Sequence, residues 1–195
     1  MDKEVEGVGL DMNFKEFYLI EKKDVEYDYS SVQLNFDEEI ADKIMQYSSE
    51  IPDEYIYTEE DDPSYGREDE IHTTILYGLD AEEPDEVVDL MKDVKPFEVN
   101  LGNISYFELE EKEYNVMKVE VESEELHALN KKLRDNVSYN NDFPDYKPHL
   151  TVAYIKKDFP KDDVDVELFK DLTQTVDEII FSSKNGTETS IKLVG

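Results

Sequence analysis

The feature that most constrains the fold is a six-residue pattern that occurs twice. Residues 72–77 have the sequence His-Thr-Thr-Ile-Leu-Tyr and residues 149–154 have the sequence His-Leu-Thr-Val-Ala-Tyr, so both fit His-x-Thr-apolar-apolar-Tyr. Neighbouring side chains of a β-strand point to opposite faces, so the His and the Thr of each copy share one face. We predict two strands that present an imidazole and a hydroxyl on one face, with Tyr77 and Tyr154 on the opposite, packed face.

The segments around the two motifs follow the same order. Each half has a helix, a polar loop, the motif strand, a short helix near a proline and an antiparallel strand pair. Ser105 follows His72 by 33 positions, and Ser182 follows His149 by the same 33. Internal repetition indicates related structural units. We predict an α+β fold of two lobes, in which two antiparallel sheets with flanking helices are related by pseudo-twofold symmetry around a central cleft.

Periodicity and capping residues predict the remaining elements. Alternating apolar residues from Tyr29 to Phe36 indicate a strand. Asp37 and Ser123 are each followed by apolar residues at helical spacing, so each is a predicted N-cap. The other predicted elements are strands at 97–109 and 114–121, a polar helical segment that begins at Pro160, and a closing hairpin of 176–183 and 187–194.

Two kinds of segment lie outside this repeated pattern. Residues 1–28 are an N-terminal extension whose apolar residues fit a short helix or an added strand, and residues 29–195 form a single bilobal domain. The first approach loop, residues 53–70, is acidic and contains Gly66. Its length predicts a mobile lid over the site, or equally an ordinary solvated insertion. The second approach loop, residues 138–147, precedes the second motif.

Charge and cysteine content narrow the function. The chain has 20 basic and 51 acidic residues and a formal net charge of −31. Such a surface repels duplex DNA and long RNA, whereas a local pocket can still bind the few phosphates of a small nucleotide. Because cysteine is absent, disulfides, thiolate metal ligands and Cys nucleophiles are excluded.

Hydropathy indicates where the protein acts. No apolar run approaches the roughly 18 residues that a membrane-spanning helix needs, and the first residues have no apolar signal-peptide core. We therefore expect a cytoplasmic protein without a membrane partner, and the sequence leaves its oligomeric state open.

Paired imidazoles suit the cleavage of a phosphodiester. One neutral His can accept a proton as general base while a protonated His delivers one to the leaving oxygen, and a pKa of about 6.5 keeps both forms accessible near neutral pH. Threonine hydroxyls on the same faces can donate hydrogen bonds to non-bridging phosphate oxygens. We predict a catalytic set that needs no metal or other cofactor: His72, Thr74, His149 and Thr151. Which histidine is the acid stays open.

Three other residues are candidate substrate contacts: Tyr29, Tyr106 and Lys147. Lys147 precedes the second motif and would supply local positive charge, although a solvated loop lysine is an equal alternative. His127 lies in the amphipathic helix after Ser123 without a partner motif, and we interpret it as a surface or interface residue.

The motifs His72-Thr73-Thr74 and His149-Leu150-Thr151, each in an apolar strand, resemble those of the 2H phosphoesterase superfamily. That superfamily includes 2′-5′ RNA ligase-like proteins, cyclic nucleotide phosphodiesterases, viral 2′-5′ oligoadenylate phosphodiesterases, and phage proteins of the anti-CBASS type, which destroy cyclic oligonucleotide alarm signals. The resemblance covers residues 29–194. It implies a bilobal α+β fold and metal-independent phosphoric diester hydrolysis by the four motif residues.

Three functional hypotheses follow. The first is a phosphodiesterase that acts on a small cyclic or 2′-5′-linked nucleotide, in the setting of a viral protein that removes a defence messenger in the host cytoplasm. The second is an RNA-processing enzyme that opens 2′,3′-cyclic ends, for which a basic groove beside the cleft would be evidence. The third is a non-catalytic protein that sequesters a nucleotide, or an acidic decoy of nucleic acid.

Overall fold

A single antiparallel sheet of nine strands forms the framework of the protein. The structure is a computed structural model that describes residues 17–22, 26–62, 64–141, 143 and 145–195, with the backbone alone for 17–22. The strand order is β1-β9-β8-β2-β3-β6-β5-β4-β7. The strands are β1 (Phe17–Lys22), β2 (Ser30–Asn35), β3 (His72–Leu79), β4 (Phe97–Glu108), β5 (Tyr114–Glu122), β6 (His149–Lys156), β7 (Thr173–Val176), β8 (Glu178–Ser182) and β9 (Thr187–Lys192). The helices are α1 (Glu38–Glu50), α2 (Asp85–Met91) and α3 (Glu124–Asn136).

The two halves of this sheet meet at the motif strands. The predicted combination of antiparallel strands and few helices is confirmed. The strands form one sheet, however, instead of the two that we predicted, because β3 and β6 pair directly at Thr73 and Leu150. The register of β3 with β6 is confined to that one pair. The two halves of the sheet are therefore joined by a single pair of residues.

The capping residues act as predicted at both long helices. The Asp37 carboxylate accepts a hydrogen bond from the Ile40 amide at 2.9 Å, and the Ser123 hydroxyl accepts one from the Leu126 amide at 3.4 Å. The polar segment after Pro160 is not a helix, since only a short 3-10 turn forms there before β7.

Part of the N-terminal extension is an added strand. Residues 17–22 form β1, which pairs antiparallel with β9 at the edge of the sheet. Of our two alternatives, the strand therefore applies to these six residues. Residues 1–16 and 23–25 of the extension lie outside the described residues.

A β-bulge interrupts each motif strand. The register of β3 with β2 slips at Ile75, and the register of β6 with β5 slips at Val152. One extra residue reverses the facing of the residues after it up to the next shift, which in β3 comes at Gly78. Tyr77 and Tyr154 therefore lie on the same face as the motif histidines. Our prediction that they belong to the packed face is wrong for this reason.

Each bulge is held by a helix of the other half. Asn130 of α3 donates its side-chain amide to the Ile75 carbonyl at 2.7 Å, and the Ser48 hydroxyl of α1 donates to the Val152 carbonyl at 3.3 Å. The Val152 carbonyl accepts a second hydrogen bond, from the Glu68 amide at 3.1 Å. Because α1 precedes the first motif and α3 the second, the two halves are interlocked.

The first approach loop is bound along β6, on the side where β6 faces β3 but pairs with it at only one residue. Within residues 53–70, the Tyr57 amide donates to the Tyr154 carbonyl at 2.9 Å, and the Tyr154 amide donates to the Gly66 carbonyl at 2.7 Å. The Arg67 side chain also donates to the Ile51 carbonyl, just after α1, at 2.6 Å. These contacts argue against the predicted mobile lid.

The second approach loop crosses to β3 in the same manner. The Asn140 amide donates to the Gly78 carbonyl at 2.7 Å, and the Asp80 amide donates to the Ser138 carbonyl at 3.1 Å. Each loop thus leads into one motif while it pairs with the strand of the other.

Candidate active site

The junction of β3 and β6 brings the two motifs together. Thr73 and Leu150 are register partners and both are fully buried, so their neighbours project to the opposite face. Continuing the antiparallel register by one residue in each direction sets each histidine opposite the threonine of the other motif. The four predicted catalytic residues therefore share one face of the sheet: His72, Thr74, His149 and Thr151.

Both imidazoles are oriented by the same local hydrogen bond. His72 Nδ1 lies 2.7 Å from the Glu70 carbonyl oxygen, and His149 Nδ1 lies 2.7 Å from the Lys147 carbonyl oxygen. A carbonyl oxygen can only accept, so Nδ1 carries the proton in each ring. Nε2 of each imidazole is then the nitrogen that remains for proton transfer with a ligand.

A cavity of about 540 Å³ opens on the face of the motifs. Its wall includes Thr74, His149 and Thr151. Other lining residues are aromatic, cationic or amide side chains: Tyr77, Phe107, Asn141, Tyr146, Lys147 and Tyr154. A volume in the range of about 300–1,000 Å³ with a few polar groups among aromatic rings is typical of small-molecule sites.

The environment of His149 favours its neutral form. Burial lowers the pKa of this imidazole from its usual value near 6.5, while the hydrogen bond with the Lys147 carbonyl raises it. The charges of Lys118 on β5 and of His72 lower this pKa further. At pH 7 the ring is therefore an acceptor at Nε2, as a general base must be.

A carboxylate adjoins the other histidine. Burial raises the pKa of Glu68, and the charge of His72 acts in the opposite direction on this carboxyl group. The Glu68 amide donates to the Val152 carbonyl at 3.1 Å, which fixes this residue beside the motif strands. The two imidazoles thus interact electrostatically with different groups, His72 with Glu68 and His149 with Lys118.

Comparison with known families agrees with this arrangement. The profile of the 2′-5′ RNA ligase superfamily matches residues 36–188, which include both motifs. The chain belongs to this superfamily. Our predicted membership of the 2H phosphoesterases is thereby confirmed, and with it the class of enzyme, a phosphoric diester hydrolase. No curated protein sequence matches this 2H phosphoesterase.

Solved structures share the fold of this phosphoesterase at low sequence identity. TT0787 of Thermus thermophilus aligns with a TM-score of 0.61 and 19% identity, over 86% of this chain and 98% of that chain. Escherichia coli LigT complexed with NADP+ gives a TM-score of 0.52 and 15% identity, over 80% and 86%. Kluyveromyces marxianus Usb1 gives 0.51 and 11%, over 86% and 99%.

Two of the three predicted substrate contacts lie at or near the cavity. Lys147 lines it. Tyr29 lies at its margin, where its ring meets that of Tyr77 edge-on with centroids 6.0 Å apart. The Tyr29 hydroxyl accepts a hydrogen bond from the Asn140 side chain at 2.7 Å, which links it to the second approach loop.

Tyr106 does not reach the cavity of the phosphoesterase. It lies opposite Met117, which is fully buried, and it packs against the hydrophobic core on the helical side of the sheet. Burial raises the pKa of its hydroxyl to about 12, and among the described residues that hydroxyl has no hydrogen-bond partner. The neighbouring Phe107 faces the cavity in its place.

Lys118 is a residue near the site that the motifs did not reveal. It lies opposite Thr151 on β5 and is only 6% exposed. Its ammonium group donates to the Ser105 hydroxyl at 2.6 Å and pairs with the Glu120 carboxylate at 3.7 Å. Burial lowers the pKa of Lys118, and the Glu120 charge raises it. In the sequence of β5, Lys118 and Glu120 alternate with valines. This alternation is the pattern that could have revealed Lys118.

His127, the third histidine, does not line the cavity. His127 is exposed on α3, as predicted, and its ring contacts Tyr146 edge-on at 5.4 Å.

In the part of the chain that the structure describes, no group of three or more His, Asp or Glu residues is arranged to hold a metal ion. Within those same residues, no helix has the length and apolar character that crossing a membrane requires.

Proposed function

We propose that this phosphoesterase hydrolyses a small cyclic or 2′-5′-linked nucleotide by paired-histidine acid–base catalysis, without a metal or other cofactor. The observation that carries the proposal is the pairing of Thr73 with Leu150 at the β3–β6 junction, from which antiparallel geometry sets each motif histidine opposite the threonine of the other motif. A phosphodiester seated over Thr73 and Leu150 would have an imidazole on each side.

In the proposed mechanism His149 is the general base and His72 the general acid. His149 Nε2 takes a proton from water while the water oxygen forms a bond to phosphorus. The bond from phosphorus to the leaving oxygen then breaks, and His72 Nε2 gives its proton to that oxygen. The products are a phosphate monoester and an alcohol, and solvent returns both rings to their starting states. The neutral form of His149 and the carboxylate of Glu68 beside His72 support these roles.

Thr74 and Thr151 are proposed to bind the non-bridging oxygens. Both hydroxyls lie on the face of the histidines, and both residues line the cavity. Negative charge grows on these oxygens as the phosphorus becomes five-coordinate. A donor placed for that charge typically contributes about 10²–10³-fold in rate.

The proposed substrate class rests on the charged residues and the aromatic side chains that line the cavity. Lys147 and Arg134 line the cavity together with one acidic residue, Asp145, so the lining has a positive balance in a protein whose net charge is −31. Tyr77, Phe107 and Tyr154 offer rings on which a base can stack. LigT, which shares the fold, has been crystallised with NADP+ and with 3′-AMP, both nucleotides. A duplex is excluded from the proposal by the average charge.

Several finer predictions accompany the proposal. We propose that the halves are related by a pseudo-twofold axis, because matching bulges at Ile75 and Val152 are each bound by a helix of the opposite half. The biological setting, in which a viral enzyme removes a nucleotide signal of host defence, stays a prediction, as does the cytoplasmic location.

A substrate panel tests the function. Cyclic dinucleotides, cyclic trinucleotides, 2′-5′ oligoadenylates and 2′,3′-cyclic nucleotides would be incubated with the protein in excess chelator, and the products separated by chromatography. We expect one of the first three classes to be cleaved by the intact protein, but not by a variant that carries both His72→Ala and His149→Ala. Cleavage of 2′,3′-cyclic nucleotides alone would indicate the RNA-processing alternative. Binding without cleavage would overturn catalysis in favour of sequestration.

The rate should have a bell-shaped dependence on pH. Because the general base must be unprotonated, kcat/KM should fall as the pH drops through the pKa of His149, which lies below its ordinary value near 6.5. The rate should therefore persist into mildly acidic solution and decline on the alkaline side of its optimum, where the general acid has lost its proton. Initial rates across this range would measure the profile, and a flat one would contradict two-histidine catalysis.

A further inference from the structure

The strands beside the two motifs carry different side chains. Next to the first motif, β2 sets Gln33 opposite Thr74 and Asn35 opposite His72. The Gln33 side-chain amide donates to the Asn35 side-chain oxygen at 3.0 Å. The first motif therefore adjoins a pair of neutral amides that hydrogen-bond to one another.

The equivalent positions beside the second motif are charged. β5 sets Lys118 opposite Thr151 and Glu120 opposite His149, with the charged groups 3.7 Å apart. The Lys118 side chain is 8% exposed and the Glu120 side chain 48%. Water screens the exposed carboxylate more strongly than the buried ammonium group. The negative charge thus offsets the positive charge only in part at His149.

Lys118 is held in place beneath His149. Besides the 2.6 Å bond to the Ser105 hydroxyl, its ammonium group lies 4.8 Å from the centre of the Phe107 ring. That ring meets the His149 imidazole edge-on, with centroids 4.8 Å apart. Phe107 and His149 line the cavity, whereas Lys118 does not. Lys118 therefore contacts the Phe107 ring, which in turn contacts His149.

We propose that Lys118 is a positioning residue that adds to the difference between the two motif histidines, by holding a positive charge beside His149 while neutral amides adjoin His72. Protonation of His149 would place a second cation next to a buried one, so the imidazole stays neutral and serves as the base. This inference rests on the proposed function for the role of His149. It assigns part of the cause of that role, in addition to burial, to a residue outside both motifs.

The other charged groups around His149 come from three elements. His72 on β3 and Lys147 before β6 are cationic when protonated, and Glu120 on β5 is the nearby carboxylate. Compared with these groups, Lys118 combines burial with a positive charge at neutral pH. Its replacement by glutamine gives the second motif the side chain that Gln33 provides beside the first.

A histidine titration without substrate tests the proposal. The three imidazoles would be followed by NMR as the pH is changed, each assigned by a single substitution. In Lys118→Gln we expect the titration midpoint of His149 to rise, because a positive charge beside it is removed. In Glu120→Gln, which removes the opposite charge at a half-exposed position, the midpoint of His149 should fall. If neither substitution changes the titration midpoint of His149, the proposal is overturned.

Kinetics separate this proposal from the proposed function. In Lys118→Gln the acidic limb of kcat/KM should move to higher pH, and Lys118→Arg, which keeps the charge, should leave the limb in place. A purely structural role would lower the rate at every pH without moving the limb. If the midpoint moves but no nucleotide is cleaved by the intact protein, the coupling stands and the proposed function fails. If the midpoint moves and the limb does not, His149 is not the base.

Discussion

Replacement of either motif histidine by alanine is expected to lower kcat/KM by about 10²–10⁴-fold. Each substitution removes one of two proton transfers that occur in the same displacement. The loss in the double variant should be close to that of either single variant rather than their product, since residues that act as a unit are not additive. Initial rates of His72→Ala, His149→Ala and the double variant, on the substrate found in the panel, would measure this.

A matched control comes from the third histidine. His127→Ala removes an exposed imidazole of α3, so it should leave the rate within about twofold, as is usual for surface substitutions. If one motif variant kept full activity, the reaction would need only one imidazole. The pairing of the motifs at the junction would then serve binding.

The second large effect is expected from Gly78→Ala on β3. Gly78 has φ +93°, and a Cβ there would lie 2.3 Å from the Asn140 carbonyl oxygen. The variant must adopt a strained backbone and also displace the second approach loop. We expect the free energy of unfolding to fall by about 3–5 kcal/mol, measured by urea denaturation.

Gly66→Ala separates the cost of backbone strain from the cost of a steric clash. Gly66 also has positive φ, at +116°, but the atom nearest to a Cβ at this position would be 3.7 Å away, on Thr58. This variant should lose only the backbone contribution of about 1–2 kcal/mol. Equal losses in the two variants would mean that the contact between Gly78 and Asn140 has no share in stability.

The pairing of the motifs was predictable because it rests on duplication. Strand alternation placed His72 with Thr74 and His149 with Thr151, and those short segments precede both bulges. The helix caps were equally accessible, since Asp37 bonds to an amide only three residues away. Local patterns therefore sufficed for the four residues that define the candidate site.

The facing of the tyrosines was not predictable from local pattern. Ile75 and Val152 look like ordinary strand residues, and nothing nearby marks them as extra. Their carbonyls are bound by Asn130 and Ser48, which lie 55 and 104 positions away in the sequence. The bulges therefore depend on helix packing that a strand pattern does not contain.

The facing of Tyr106 also depends on a register shift. Alternation counted from Phe97, which is buried, puts Tyr106 on the side away from the core. The register of β4 with β5 shifts between Leu101 and Ile104, and this shift exchanges the faces of the residues that follow. Phe107 consequently faces the cavity, and Tyr106 faces the helices.

The strand order has a consequence for folding during synthesis. β2 and β3 emerge early from the ribosome, but β2 pairs on its outer side with β8, and β9 follows β8. Residues 178–192 therefore complete the half-sheet that carries His72. A nascent chain can pair β4, β5 and β6 well before that point, while the edge of β2 stays open to unwanted strand pairing. Ribosomal stalling after β7 would thus release a fragment that holds both motifs but is prone to aggregate.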